Sequence, residues 1–272
     1  MESAGENRLK LTLHYDGSAF FGWQMQREER TVQGEIQSAL ERLTGGLGTV
    51  IGAGRTDRGV HATGQVAAVS VPERWSAEEL HRALNAVLPD DVWVEHVDRV
   101  NPDFHPRYDA IARTYEYHLG LVGEASSPFH RRWCWPYGDR ADPAILQQAA
   151  SELPGTHSFE RFAKAGQPER GYQCTVMSAA WEPWETLGLS FSITADRYLH
   201  HMVRYLVGTM VQIASAQRPL VDLTELLHNE RTELETSPPA PPEGLFLARV
   251  DYPEPANKAG PGTHSTRSTP TP

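Results

Sequence analysis

The sequence predicts an α+β fold made of two successive β-α-β-β-α-β units, the split βαβ arrangement. Three observations carry this. Alternating apolar stretches and amphipathic stretches follow one another in the same order twice. A turn-rich segment, NPDFHPRYDA (101–110), separates the two runs. The apolar content, 39% of 272 residues, is enough for a sizeable core, and no uninterrupted apolar run is long enough to span a membrane.

The first unit opens with LKLTLHY (9–15), which alternates like a half-buried strand. A helix is expected from Thr31, with Val32, Ile36, Leu40 and Leu43 on one face. Strands follow near 49–53 and 64–71. Ser76 and Glu79 form a capping-box pattern ahead of a helix that turns Leu80, Leu84 and Val87 inward. DVWVEHV (91–97) is the fourth strand.

The second unit repeats the order. ARTYEYHL (112–119) is a strand, and Asp142 caps a helix burying Ile145, Leu146, Ala149 and Leu153. QCTVMSAAW (173–181) and LGLSFSIT (187–194) are strands joined by a short turn. YLHHMVRYLVGTMVQIA (198–214) is expected to be one buried helix, and LFLARVDY (245–252) the last strand. The expected halves are 8–105 and 106–252. Residues 253–272, rich in Pro, Gly, Ser and Thr, form an expected disordered tail. Two such units placed edge to edge would carry helices on one face of a joint sheet and a cleft across the other.

The net charge of −10 argues, taken whole, against a nucleic-acid partner. Its distribution does not. Residues 72–103 and 222–243 each carry net −5, so the rest of the chain sums to zero, and 197–218 holds three Arg and no acid. A locally basic cleft is compatible with that. The first ten residues, MESAGENRLK, show no targeting pattern. Two distant cysteines, Cys134 and Cys174, suit a reducing, cytoplasmic setting.

GAGRTDRGVHATGQV (52–66) displays Arg55 and Asp57 among glycines, which serve tight turns or the close approach of a ligand. Asp57 beside Arg is suited to stay ionised, as a nucleophilic carboxylate must; the same residue type is an ordinary turn former or cap. Arg204 lies in an apolar helical pattern and needs a carboxylate, for which Asp57, Asp16 and Asp196 are candidates. Tyr115 and Tyr117 share a strand face, as core packing or as a platform for a base. Adjacent histidines on a helix diverge by about 100°, so His200 and His201 are not expected to share a metal, and no nucleotide-cofactor motif is present.

Eight segments in order then resemble the bacterial TruA family of tRNA pseudouridine synthases: LTLHYDGSAFFGWQMQ (11–26), TVQGEIQSAL (31–40), GAGRTDRGVHATGQVA (52–67), LNAVLPDDV (84–92), FHPRYDAIARTYEY (104–117), GTHSFERF (155–162), YLHHMVRYLVG (198–208) and EGLFLARVDY (243–252). The resemblance implies two ferredoxin-like halves in one mixed, mostly antiparallel sheet with a central cleft. It implies conversion of uridine to pseudouridine in the tRNA anticodon arm (positions 38–40), by a homodimer, without cofactor or metal. Asp57 matches the catalytic Asp, and Arg204 the Arg that pairs with it. Tyr115 matches a Tyr that stacks on the uracil and helps remove the C5 proton. Arg55 matches an Arg near the flipped nucleotide. Arg58 replaces a usual Ala, adding a phosphate contact or crowding the entrance, and Ser158 replaces a usual Asp. The alternative reading is a non-catalytic tRNA-binding module on the same fold.

Overall fold

The computed structural model describes residues 5–46, 48–164, 171–228 and 233–253; most of the expected tail lies outside them. The first unit contains β1 (Glu6–Tyr15), α1 (Val32–Thr44), β2 (Ile51–Gly52), β3 (His61–Pro72), α2 (Ala77–Val87) and β4 (Val92–Arg99). The second contains β5 (Ala112–Gly120), β6 (Trp135–Pro136), α3 (Pro143–Ser151), β7 (Gly155–Ser158), β8 (Gln173–Trp184), β9 (Gly188–Ala195), α4 (Met202–Ala214), α5 (Val221–His228) and β10 (Leu245–Asp251).

Local chemistry sets most of these elements. Leu9, Leu11, Leu13 and Tyr15 alternate inward along β1. Thr31 caps α1 by accepting the Gly34 amide hydrogen, and Gly45 ends that helix in the left-handed region at φ 80°. The Ser76–Glu79 capping box is complete in α2, and Asp142 caps α3 with Pro143 in the first turn. Each such cap stabilises its helix by about 1 kcal/mol.

All strands join one sheet, in the order β4-β1-β3-β10-β5-β9-β8-β7. The strand orders β4-β1-β3-β2 and β10-β5-β9-β8 are the same pattern used twice, so each half is ferredoxin-like. The seam is β10. It runs antiparallel to β5 and parallel to β3, where Phe246 pairs with His61 and Leu247 with Ala62. β1 occupies one side of β3, so β2 and β10 share the other. β2 pairs at Ala67 and Ala68, and β10 takes over at His61 and Ala62. The chain between Gly52 and His61 is forced out of the sheet at that handover.

Several expectations change. The helix expected from 198 begins at Met202, because His201 adopts φ 66°, ψ 5° and turns the chain before it. Leu43, Val87 and Ile145 are half-buried rather than buried, while Leu153 is buried just past its helix. β6, β7 and α5 were not expected; two- and four-residue strands are too short to show a period. The residues expected to line the cleft do not face the helix-free side. Tyr115 packs edge-on to Tyr198 just ahead of α4, at 4.8 Å between ring centroids, and Tyr117 donates its hydroxyl hydrogen to the Pro241 carbonyl. At the seam the opposite face is closed instead by His61, Phe246, His118 and Trp133, whose rings lie 4.8–5.0 Å from their neighbours.

Candidate active site

The loop leaving β2 is pinned from several sides. Trp23 donates its amide hydrogen to the Thr56 carbonyl at 3.0 Å, and Gly59 donates to Phe20 at 3.3 Å. Below it, the Tyr15 and Thr56 hydroxyls lie 2.7 Å apart in a buried pair. Gln65 donates to the Gly54 carbonyl and Arg113 to that of Ala53. Gly59 sits at φ 79°, which L side chains rarely adopt. Gly52 lies against the Trp23 ring, and Gly64 against the Ala248 carbonyl of β10. These three glycines therefore serve the protein's own turn and packing rather than the approach of a ligand.

Asp57 is presented at the top of this loop, with its side chain 22% exposed. Three groups converge on it from the start of α4. His200 Nε2 lies 3.2 Å from Oδ1, His201 Nε2 lies 3.3 Å from Oδ2, and Arg204 Nη1 lies 3.7 Å from Oδ2. Arg204 is braced by donating from Nε to the Ala240 carbonyl at 2.7 Å. Of the three carboxylates open to Arg204, Asp57 is the one it meets. Asp16 pairs with Arg132 and His61, and Asp196 accepts the Thr175 amide hydrogen.

Sequence reasoning missed the two histidines. Neighbours on a regular helix point apart, but neither histidine lies in the helix, and the left-handed turn at His201 brings both rings onto Asp57 with centroids 4.2 Å apart. The available signal was a polar pair immediately ahead of a long apolar run, which marks a helix start. One donor atom each from Asp57, His200 and His201 lies within 4.8 Å of the others, a separation that a metal ion could bridge. Arg204 already places a positive charge beside the same carboxylate, which opposes a divalent cation there. Burial, with the charges of His200, Arg204 and Lys164, holds the His201 pKa below its usual value against the pull of Asp57.

Tyr115 is buried, and its phenol is pushed up to about 12 by burial and by the negative charge of Asp57. Arg113 beside it is half-buried among backbone carbonyls, and desolvation lowers its pKa. Arg55 and Arg58 are exposed on either side of Asp57, and the Arg58 guanidinium lies 4.1 Å from the centroid of the Phe21 ring. Lys164, also exposed, donates its amide hydrogen to the His200 carbonyl. The carboxylate is thus rimmed by cations although the whole chain is acidic. Ser158 ends β7.

This geometry, a single carboxylate held by an Arg at a basic rim, can be compared with known proteins. The family model described as tRNA pseudouridine synthase matches residues 12–109 and 149–253. A tRNA pseudouridine synthase A of Moorella thermoacetica is 40% identical over 246 residues, covering 90% of this chain and 99% of its own length. A tRNA pseudouridine synthase A 1 of Protochlamydia amoebophila is 37% identical over 254 residues, covering 89% and 95%. A third relative, from Maridesulfovibrio salexigens, is 37% identical and covers 91% of both chains. The family match takes in both arms of the site, the loop with Asp57 and the turn with His200, His201 and Arg204, and the alignments run nearly end to end: the chain belongs to the tRNA pseudouridine synthase family.

Proposed function

We propose that this chain isomerises uridine to pseudouridine in the anticodon arm of tRNA, with Asp57 as the carboxylate that acts on the nucleotide. The observation that carries the reading is the Asp57 side chain, partly exposed on a pinned loop and faced by Arg204 at 3.7 Å. A neighbouring guanidinium orients a carboxylate and balances its charge, and a carboxylate so held can act as a nucleophile.

The other roles follow from position. A base must leave its stack to reach Asp57, at a cost of a few kcal/mol. Tyr115, on the strand beneath the Asp57 loop, is proposed to stack on the uracil, and a stacked base is worth about 1–3 kcal/mol. Arg55 and Arg58 are proposed to contact phosphates, which lets an acidic protein bind RNA through a local basic rim. The reaction as proposed needs no metal and no cofactor. It is proposed to take place in the cytoplasm, in a homodimer whose two copies extend the basic surface. No helix of the described residues is long and apolar enough to cross a membrane.

The test is pseudouridine mapping on an unmodified tRNA transcript, with wild type and Asp57→Asn side by side. Product in the anticodon arm from wild type alone is expected. Product from both proteins would remove Asp57 from its role, and tRNA binding without product would favour a binding module.

A further inference from the structure

Tyr108 stands in the connection between the two halves and is 71% exposed. The backbone around it is firmly tied. His105 Nδ1 accepts the amide hydrogens of Arg107 and Tyr108, each at 3.2 Å. The His105 amide donates to the Asp109 carboxylate at 2.9 Å, which folds that acid back onto its own loop. The Tyr252 hydroxyl donates to the Pro106 carbonyl at 2.7 Å, and Arg113 donates to that of Arg107. One side of the Tyr108 ring rests on the His105 ring, with 4.2 Å between centroids and 33° between planes. The exposed Arg107 guanidinium lies 6.0 Å from the Tyr108 centroid. A ring packed on one face and open on the other, with a cation beside it, suits the stacking of a base.

This loop borders the Asp57 site. Arg113 Nη2 holds the Arg107 and Ala53 carbonyls at 2.8 and 3.1 Å, so the connection and the root of the Asp57 loop share one nitrogen. Arg113 and Tyr115 alternate onto the same face of β5. Two strand residues, one arginine side chain and one hydrogen bond separate the backbones of Tyr115 and Tyr108, a path of no more than about 20 Å. Successive nucleotides of a stacked strand advance by about 3.4 Å, so about six steps cover that path. A hairpin arm with its uridine on Tyr115 therefore brings unpaired loop bases within range of Tyr108.

We propose that Tyr108 is a second stacking site for the substrate RNA. Its open face takes an unpaired base of the anticodon loop other than the reacting uridine, and Arg107 meets a phosphate beside that base. Stacking is tolerant of base identity, so the site fixes the placement of the arm without choosing its sequence. The proposal rests on the reading of the chain's substrate given above.

The experiment uses the full chain and an unmodified tRNA transcript. Tyr108→Ala should weaken binding on the order of tenfold and raise KM by more than it lowers kcat. Tyr108→Phe and Tyr108→Trp keep a π-face and should bind like wild type. Bases of the anticodon loop are then removed one at a time. At one abasic position wild type should bind as weakly as Tyr108→Ala, and the variant should lose nothing further. Wild-type binding by Tyr108→Ala would overturn the proposal, and so would an equal loss in Tyr108→Phe. A changed mass of Tyr108→Ala in sedimentation would overturn it too, by placing the ring between two copies of the chain. Wild type that forms no pseudouridine yet shows the abasic pattern would remove Asp57 from its role and keep the stacking site. Wild type that binds no tRNA would remove both.

Discussion

Arg113 donates from Nη2 to the Ala53 carbonyl at 3.1 Å, and this bond joins the strand that carries Tyr115 to the loop that carries Asp57. The same guanidinium donates to the carbonyls of Arg107 at 2.8 Å and Asp196 at 3.1 Å. One planar fork therefore ties together the Asp57 loop, the connection between the halves and the approach to α4. A lysine ammonium cannot reach three carbonyls in that geometry. Arg113→Lys is expected to lose about 0.5–1.5 kcal/mol of stability for each carbonyl bond it cannot remake. Urea unfolding measures that loss, and kcat for pseudouridine formation should fall with it.

Arg58 lies over the Phe21 ring, which holds the guanidinium at the edge of the Asp57 loop. If it contacts a tRNA phosphate, Arg58→Ala should weaken binding on all tRNAs alike and reduce the salt slope of log K by about one. Filter binding over a salt series reads this directly. Tighter binding in Arg58→Ala would show instead that the side chain crowds the entrance.

His118 predicts an acid-side loss of stability. Its ring stacks on Trp184 at 4.5 Å and lies 4.8 Å from Phe246, with Nδ1 3.1 Å from the Trp133 carbonyl. Burial pushes its pKa down to about 4, with the nearby His61 adding to the fall. Between the ordinary histidine value and about 4, the unfolded chain takes up a proton that the folded protein refuses. Stability should therefore fall as pH drops from about 6.5 to 4, by on the order of 2–3 kcal/mol, and stop falling from this source below that window. His118→Phe should flatten the change, which urea midpoints at pH 7 and pH 5 would show.

What could be read in the sequence was local. Thr31, Ser76 with Glu79, and Asp142 announce their helices because a cap acts within one turn, and Leu9, Leu11 and Leu13 announce β1 by alternation. What could not be read depends on contacts distant in the chain. The joining of the two halves follows from β10 pairing with both β3 and β5 across more than a hundred residues. The glycines at 52 and 64 look like ligand-binding positions until Trp23 and Ala248 are seen against them. His200 and His201 look helical until the backbone turns at His201, where the turn brings both rings onto a carboxylate over a hundred residues upstream.

The position of β10 also bears on how the chain is made. Among the described residues the seam strand is the last regular element in chain order, yet it pairs with a strand completed long before, at His61 and Ala62. Until residues 245–251 emerge, β3 keeps an open edge beside the Asp57 loop, and such edges invite wrong pairing. The N-terminal half can form its own strand contacts early, but the two halves are stitched together only once this strand has emerged. A nascent chain stalled before Leu245 would therefore hold most of its strands and lack the joint that unites the halves.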